Sequence, residues 1–131
     1  MKTILLVEDS KFLRIANERI LVKAGYHVLC AHDGEAALLV ARESLPDLVI
    51  LDMLLPKLSG PEVLHALKKD PSTNPIPVIV LSGMSQKNEQ KLKREGAAEF
   101  MEKGPLLDNP RPLLDAIGRA LARDTTAAIP V

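Results

Sequence analysis

The sequence predicts a doubly wound α/β sandwich, a five-stranded parallel sheet with helices on both faces. Three observations carry that reading. Short runs rich in Val, Ile and Leu recur at residues 3–7, 27–31, 48–51, 78–81 and, more weakly, 99–101, as expected of strands buried on both faces. Longer stretches between them space their apolar residues by three and four and open on capping residues. The connections are short, and alternating strand and helix units joined in this way build one sheet through right-handed crossovers.

After the first strand, Ser10 caps a helix whose apolar stripe is Leu13, Ala16, Ile20 and Ala24, and Gly25 supplies the left-handed stop. The second strand leads to Asp33, which caps a helix running through Glu43 and closing in the loop 44–47. Beyond the third strand, Pro61 stands at a first helical position ahead of Val63, Leu64 and Leu67. Pro71, Pro75 and Pro77 hold the next connection extended into the fourth strand. A fourth helix is expected over 86–95, ended by Gly96. Leu92 is its single large apolar residue, so it draws little stability from packing and is among the first elements to move. After the fifth strand and the proline-rich stretch 105–112, a last helix is expected over 113–123. Residues 1–123 then form the domain and 124–131 a loose tail.

At 131 residues the chain holds one core, since single domains cluster at roughly 100–150 residues. Its 47% hydrophobic and 26% charged residues exclude disordered, collagen-like and disulfide-scaffold classes. Seventeen basic residues balance seventeen acidic ones, so no global field draws nucleic acid or an anionic membrane, and any charge that matters is local. Phe12, Tyr26 and Phe100 are the only aromatics, too few for a base-stacking surface. A single cysteine, Cys30, excludes an intrachain disulfide. No apolar run reaches the roughly 20 residues of a membrane span, and the start turns acidic too soon for a signal-peptide core. The expected location is the cytoplasm.

In such folds ligands bind beyond the carboxyl ends of the strands, where the strand order reverses. Glu8 and Asp9 follow the first strand, Asp52 the third, Ser82 the fourth and Lys103 the fifth, while the second offers nothing comparable. If strands one, three, four and five are neighbours, three carboxylates, a hydroxyl and an ammonium meet in one crevice. Each residue alone reads as an ordinary turn former, cap or surface lysine. Their joint placement at four strand ends does not. Close carboxylates raise each other's pKa, and a hard divalent cation relieves them, with Lys103 as partial counter-charge. Oxygen ligands in small number, without Cys or His, point to Mg²⁺.

These residues sit in the motifs LLVEDS (Glu8, Asp9), LVILDMLLPKLSGPEVL (Asp52), VIVLSG (Ser82) and GAAEFMEK (Phe100, Lys103). Over residues 2–123 the chain resembles the receiver domain of two-component response regulators. The resemblance implies the flavodoxin-like (CheY-like) strand order 2-1-3-4-5 with five helices. It implies that Asp52 accepts a phosphoryl group from the phosphohistidine of a histidine kinase or histidine phosphotransfer protein. Asp9, Asp52 and the backbone carbonyl of Leu54 would hold Mg²⁺, with Glu8 acting mainly through water, and Lys103 and the Ser82 hydroxyl would contact the phosphoryl oxygens. Phosphorylation exchanges one negative charge for about two. If Ser82 moves inward to bond it, Phe100 can fill the vacated volume and the weakly anchored fourth helix can be redirected. The output surface is then the fourth helix, fifth strand and last helix, a face for a downstream protein or a second copy of the chain, with no nucleic acid or membrane as direct partner.

The chain departs from the family in five places. Gly104 separates Lys103 from Pro105 where most receivers have a Lys-Pro pair, so the Lys103–Gly104 bond is expected to be trans. The stretch from Ser82 to Phe100 is shorter than usual, and the hydroxyl is Ser where Thr is common. Leu54 and Met84, two positions after Asp52 and Ser82, are apolar where relatives often orient a hydrolytic water, so a long-lived phosphoryl group is expected. Two other functions compete. A phosphorylation-independent docking module of the same fold is opposed by the intact set of site residues. A Mg²⁺-dependent phosphatase with Asp52 as nucleophile is opposed by Leu54, which stands where such hydrolases want a second acid.

Overall fold

Strand residues alternate between two faces, and in this chain both faces are apolar, so the sheet must be covered twice. A computed structural model describes residues 1–83 and 89–128, with all their side chains except those at 89, 105, 107 and 123–128. The strands β1 (Thr3–Val7), β2 (His27–Ala31), β3 (Leu48–Asp52), β4 (Val78–Ser82) and β5 (Glu99–Glu102) form one parallel sheet in the order β2-β1-β3-β4-β5. Between and after them come α1 (Lys11–Lys23), α2 (Gly34–Ser44), α3 (Gly60–Lys69), α4 (Glu89–Arg94), α5 (Lys103–Asp108) and α6 (Arg111–Ala128).

Each face has its own core. Ile4, Leu6, Leu48, Ile50, Ile79 and Leu81 pack against Leu21 of α1, Leu106 of α5, and Leu113 and Ile117 of α6. Leu5, Val7, Val49, Leu51, Val78 and Val80 pack against Ala37 and Ala41 of α2, Val63, Leu64 and Leu67 of α3, and Leu92 of α4. Truncating one of these buried leucines to alanine removes about 2–5 kcal/mol. No helix among the described residues is long and apolar enough to cross a membrane.

The expected caps are in place. Ser10 Oγ accepts from the Leu13 amide at 3.4 Å and Asp33 Oδ1 from the Ala36 amide at 2.8 Å. Ser59 and Glu62 add a capping box, each side chain accepting the other's backbone N–H, which makes Pro61 the second helical residue and not the first.

Several boundaries differ from expectation. Asp52, Ser82 and Glu102 are the last residues of their strands, where the ladder continues through Asp52 opposite Leu81 and Ser82 opposite Glu102. The proline-rich stretch after β5, for which the sequence predicts no element, contains a helix: α5 begins at Lys103, and Pro105 falls in its first turn, where a missing N–H costs no helical bond. The last helix starts at Arg111 and runs to Ala128, past the expected end at Arg123. Nothing in 124–128 breaks it, and alanines favour it. The expected start of the fourth helix at 86–88, and Met84, lie outside the described residues. Among the described residues there is no cis peptide bond, so Lys103–Gly104 is trans as expected.

Candidate functional site

β1 and β3 lie side by side near the centre of the sheet, and both deliver carboxylates. Ile4 and Leu6 face the layer of α1 and α6, and Glu8 continues their alternation; Asp52 does the same after Leu48 and Ile50. Lys103 reaches the same place from the start of α5. Its ammonium lies 2.9 Å from Glu8 Oε1 and 3.0 Å from Asp52 Oδ2. Glu8 and Asp52 are 2% and 3% exposed and the Lys103 side chain 19%, so all three are largely withdrawn from water. The second oxygen of each buried carboxylate is also occupied. Glu8 Oε2 accepts from the Ser10 amide at 3.2 Å, and Asp52 Oδ1 from the Leu54 amide at 3.2 Å.

Burial raises the pKa of Glu8, and the Asp52 charge adds to it, against the pull of Lys103. Burial also works against the Lys103 ammonium, but hydrogen bonds to Glu8 and Asp52 outweigh it and hold the pKa above the ordinary lysine value. Asp9 is exposed, yet one oxygen from each of Glu8, Asp9 and Asp52 lies within 4.8 Å of the others. Three converging carboxylates, one of them resisting ionisation, suit a hard divalent cation with oxygen ligands. These three are the side chains that could hold it.

The structure thus brings Glu8, Asp9, Asp52 and Lys103 together. Ser82 sits beside them on β4, one residue beyond the partner of Asp52, but it continues the alternation of Val78 and Val80 and so belongs to the α4 side of the sheet. Phe100 shares that side. It stands opposite Val80 in the ladder, buried in the cluster that contains Leu92 of α4. Leu54 is 65% exposed, at the open edge of the site.

The second strand contributes more than expected. Its following loop braces the one that carries Leu54: Lys57 Nζ lies 3.7 Å from the buried Asp33 carboxylate, and the Gly34 amide donates to the Pro56 carbonyl at 3.5 Å. Gly34 also packs against the Leu58 carbonyl so closely that a Cβ there would overlap it. Lys57 holds a left-handed conformation, φ 67°, which is unusual for a residue with a side chain. The sequence marks Asp33 as a cap; that the cap also faces a lysine 24 positions on has no local signal.

A parallel sheet of this order, with an acidic cluster and a lysine at the carboxyl ends of its central and edge strands, defines a receiver of the response-regulator class. The family model for the response regulator receiver domain matches residues 4–115, and the chain belongs to that family. It is 35% identical to Protein PilH of Pseudomonas aeruginosa over 104 residues, covering 79% of this chain and 86% of PilH. It is 41% identical to Histidine kinase P4 of Formosa agariphila over 83 residues, 63% of this chain but only 6% of that far longer protein. Among solved structures, a CheY-like response regulator receiver domain protein from Methanospirillum hungatei superposes with a TM-score of 0.88 at 25% identity, covering 98% of this chain and 99% of the other. Receiver domains of two-component systems are signalling switches, and this chain is one of them.

Proposed function

We propose that Asp52 accepts a phosphoryl group from the phosphohistidine of a histidine kinase or histidine phosphotransfer protein, and that the new charge redirects the face formed by α4, β5 and α6 toward a downstream protein or a second copy of the chain. The observation that carries this reading is the Lys103 ammonium shared by Glu8 and Asp52 beside Asp9. A carboxylate oxygen of Asp52 bonds to phosphorus as the phosphorus–nitrogen bond breaks, and the electron pair stays on the imidazole nitrogen, which takes up a proton. Attacker and phosphoryl group are both anionic, so positive charge must meet the equatorial oxygens. Asp9, Asp52 and the Leu54 carbonyl would hold Mg²⁺, with Glu8 acting mainly through water, and the ion would supply part of that charge. Lys103 supplies the rest as it transfers its hydrogen bonds to the phosphoryl oxygens, and the Ser82 hydroxyl donates another.

Ser82 and Phe100 lie on the α4 side of the sheet, and Leu92 is the apolar anchor of α4 there. A shift of Ser82 toward the phosphoryl group then opens room for Phe100 and loosens α4. The proposed setting is the cytoplasm. Incubation with phosphoramidate and Mg²⁺, read by intact mass, tests the acceptor: wild type should gain ~80 Da, one phosphoryl group, and Asp52→Asn should not. An adduct on Asp52→Asn moves the acceptor elsewhere, and no adduct on either turns the reading to a phosphorylation-independent docking module. Unchanged amide shifts over 86–101 on binding beryllofluoride would sink the switch.

A further inference from the structure

Arg14, in the first turns of α1, reaches the site from outside. Its Nη1 donates to the Glu8 carbonyl at 3.1 Å and, at a longer 3.5 Å, to the Asp9 carbonyl. Long side chains on a helix lean back toward its N-terminus. Arg14 stands four residues after the Ser10 cap, so its guanidinium folds back over the loop between β1 and α1. That loop carries two of the three clustered carboxylates. From its other side Glu8 is tied by its amide to the Ala31 carbonyl at 3.0 Å. The Glu8 peptide is therefore gripped at both ends, and the end shared with Asp9 is gripped by Arg14.

We propose that Arg14 is a positioning residue of the divalent-cation site: its guanidinium, bonded to the Glu8 and Asp9 carbonyls, keeps these carboxylates turned toward Asp52 against their mutual repulsion. The inference rests on the Mg²⁺-dependent reading above. Repulsion among three acids drives the exposed Asp9 outward unless the backbone beneath it is held. A guanidinium suits the task because it stays charged and presents several donors in one rigid plane. Arg14 contacts carbonyls, not the clustered carboxylate oxygens, so it acts through the loop. Outer partners of this kind are worth about 10–100-fold in metal affinity elsewhere.

The test compares Arg14→Met, which keeps the stem and removes the donors, with Arg14→Lys, which keeps a charged donor. Mn²⁺ binding is read by water-proton relaxation, Mg²⁺ binding by the shift in melting temperature, and phosphorylation by phosphoramidate as a function of Mg²⁺. Arg14→Met should weaken Mn²⁺ and Mg²⁺ binding about tenfold or more. It should raise the Mg²⁺ needed for half-maximal phosphorylation by the same factor and leave the saturating rate within about twofold. Arg14→Lys should recover most of the affinity. Unchanged affinity in Arg14→Met, or a lower saturating rate with unchanged Mg²⁺ dependence, overturns the proposal. If Arg14→Met does not fold, Arg14→Gln, which lacks the charge and the reach of the guanidinium, decides: a loss of affinity supports the proposal and none overturns it. A wild type that binds neither ion sinks the site reading itself, whereas wild type and variants binding equally sink only the role of Arg14.

Discussion

Lys103 and Asp52 meet at 3.0 Å although β4 lies between the strands that precede and carry them. The lysine spans the top of the intervening strand, and the same ammonium holds Glu8 at 2.9 Å. Two buried carboxylates therefore share one cation, which stands in for part of the charge that a divalent ion would bring.

Removing that ammonium should act in opposite directions on two measurements. In Lys103→Met, two acids remain buried without their partner, and the cation-free fold should lose about 3 kcal/mol in denaturant titrations. Mg²⁺ should bind more tightly, because nothing competes for the Glu8 and Asp52 oxygens. Phosphorylation at saturating Mg²⁺ should still slow by about 100-fold or more, since a donor to the developing charge is gone. Weaker Mg²⁺ binding in this variant would contradict the assignment of Lys103 as the standing counter-charge.

The raised pKa of Glu8, due first to burial, sets the sign of a pH effect. Above the ordinary glutamate pKa the unfolded side chain is ionised while the folded one resists ionisation. Its contribution to stability is thus full below that value and is lost as pH rises through the folded pKa. Glu8→Gln cannot ionise, so without divalent cation the stability difference between variant and wild type should shift toward the variant as pH rises from the acid side to neutrality. Thermal melts at several pH values check this, and a constant difference would refute it. Asp33 and Asp70, held below the ordinary range chiefly by backbone hydrogen bonds from Ala36 and Ser72, act with the opposite sign and cancel in the comparison.

Leu54 is 65% exposed beside Asp52 and offers no polar atom in its side chain to orient a water. The phosphoryl group should therefore outlast seconds in Mg²⁺. Leu54→Asn should shorten its lifetime by about an order of magnitude or more, within what a placed polar group contributes to proton transfer. Dephosphorylation followed by intact mass reads both, and a wild-type half-life of seconds would refute the first.

Gly96 and Gly25 both hold positive φ, 115° and 100°, but only Gly96 is crowded: a Cβ there would lie 2.7 Å from Cγ of Lys68. That lysine stem is pinned, because its ammonium donates to the carbonyls of Asn74 at 3.0 Å and Ile76 at 2.7 Å. Gly25→Ala should cost about 1 kcal/mol from backbone strain alone. Gly96→Ala should cost clearly more, because it also displaces Lys68. Equal costs in denaturant titrations would show that the Lys68 side chain yields freely.

The sequence by itself determined the order and kind of nearly every element and the residues at the strand ends. Val and Ile runs, three-and-four spacing and caps such as Ser10 and Asp33 act within a few residues of chain, so they are written locally. It also determined that Glu8, Asp9, Asp52 and Lys103 would converge, once a parallel sheet of known order is assumed. It assigned no helix to 103–108, because a proline in a first helical turn looks locally like one in a loop. Only the tertiary structure decided which loop braces which. Arg14 grips the Glu8 carbonyl, Lys57 faces Asp33, and Lys68 fills the space beside Gly96. These contacts depend on strand order and register, which bring together groups that no periodicity connects. Register also set the sides: Ser82 and Phe100 fall toward α4, and Glu8 and Asp52 toward α6. A strand alternates its faces by geometry, but only the packed layers say which helix each face will meet.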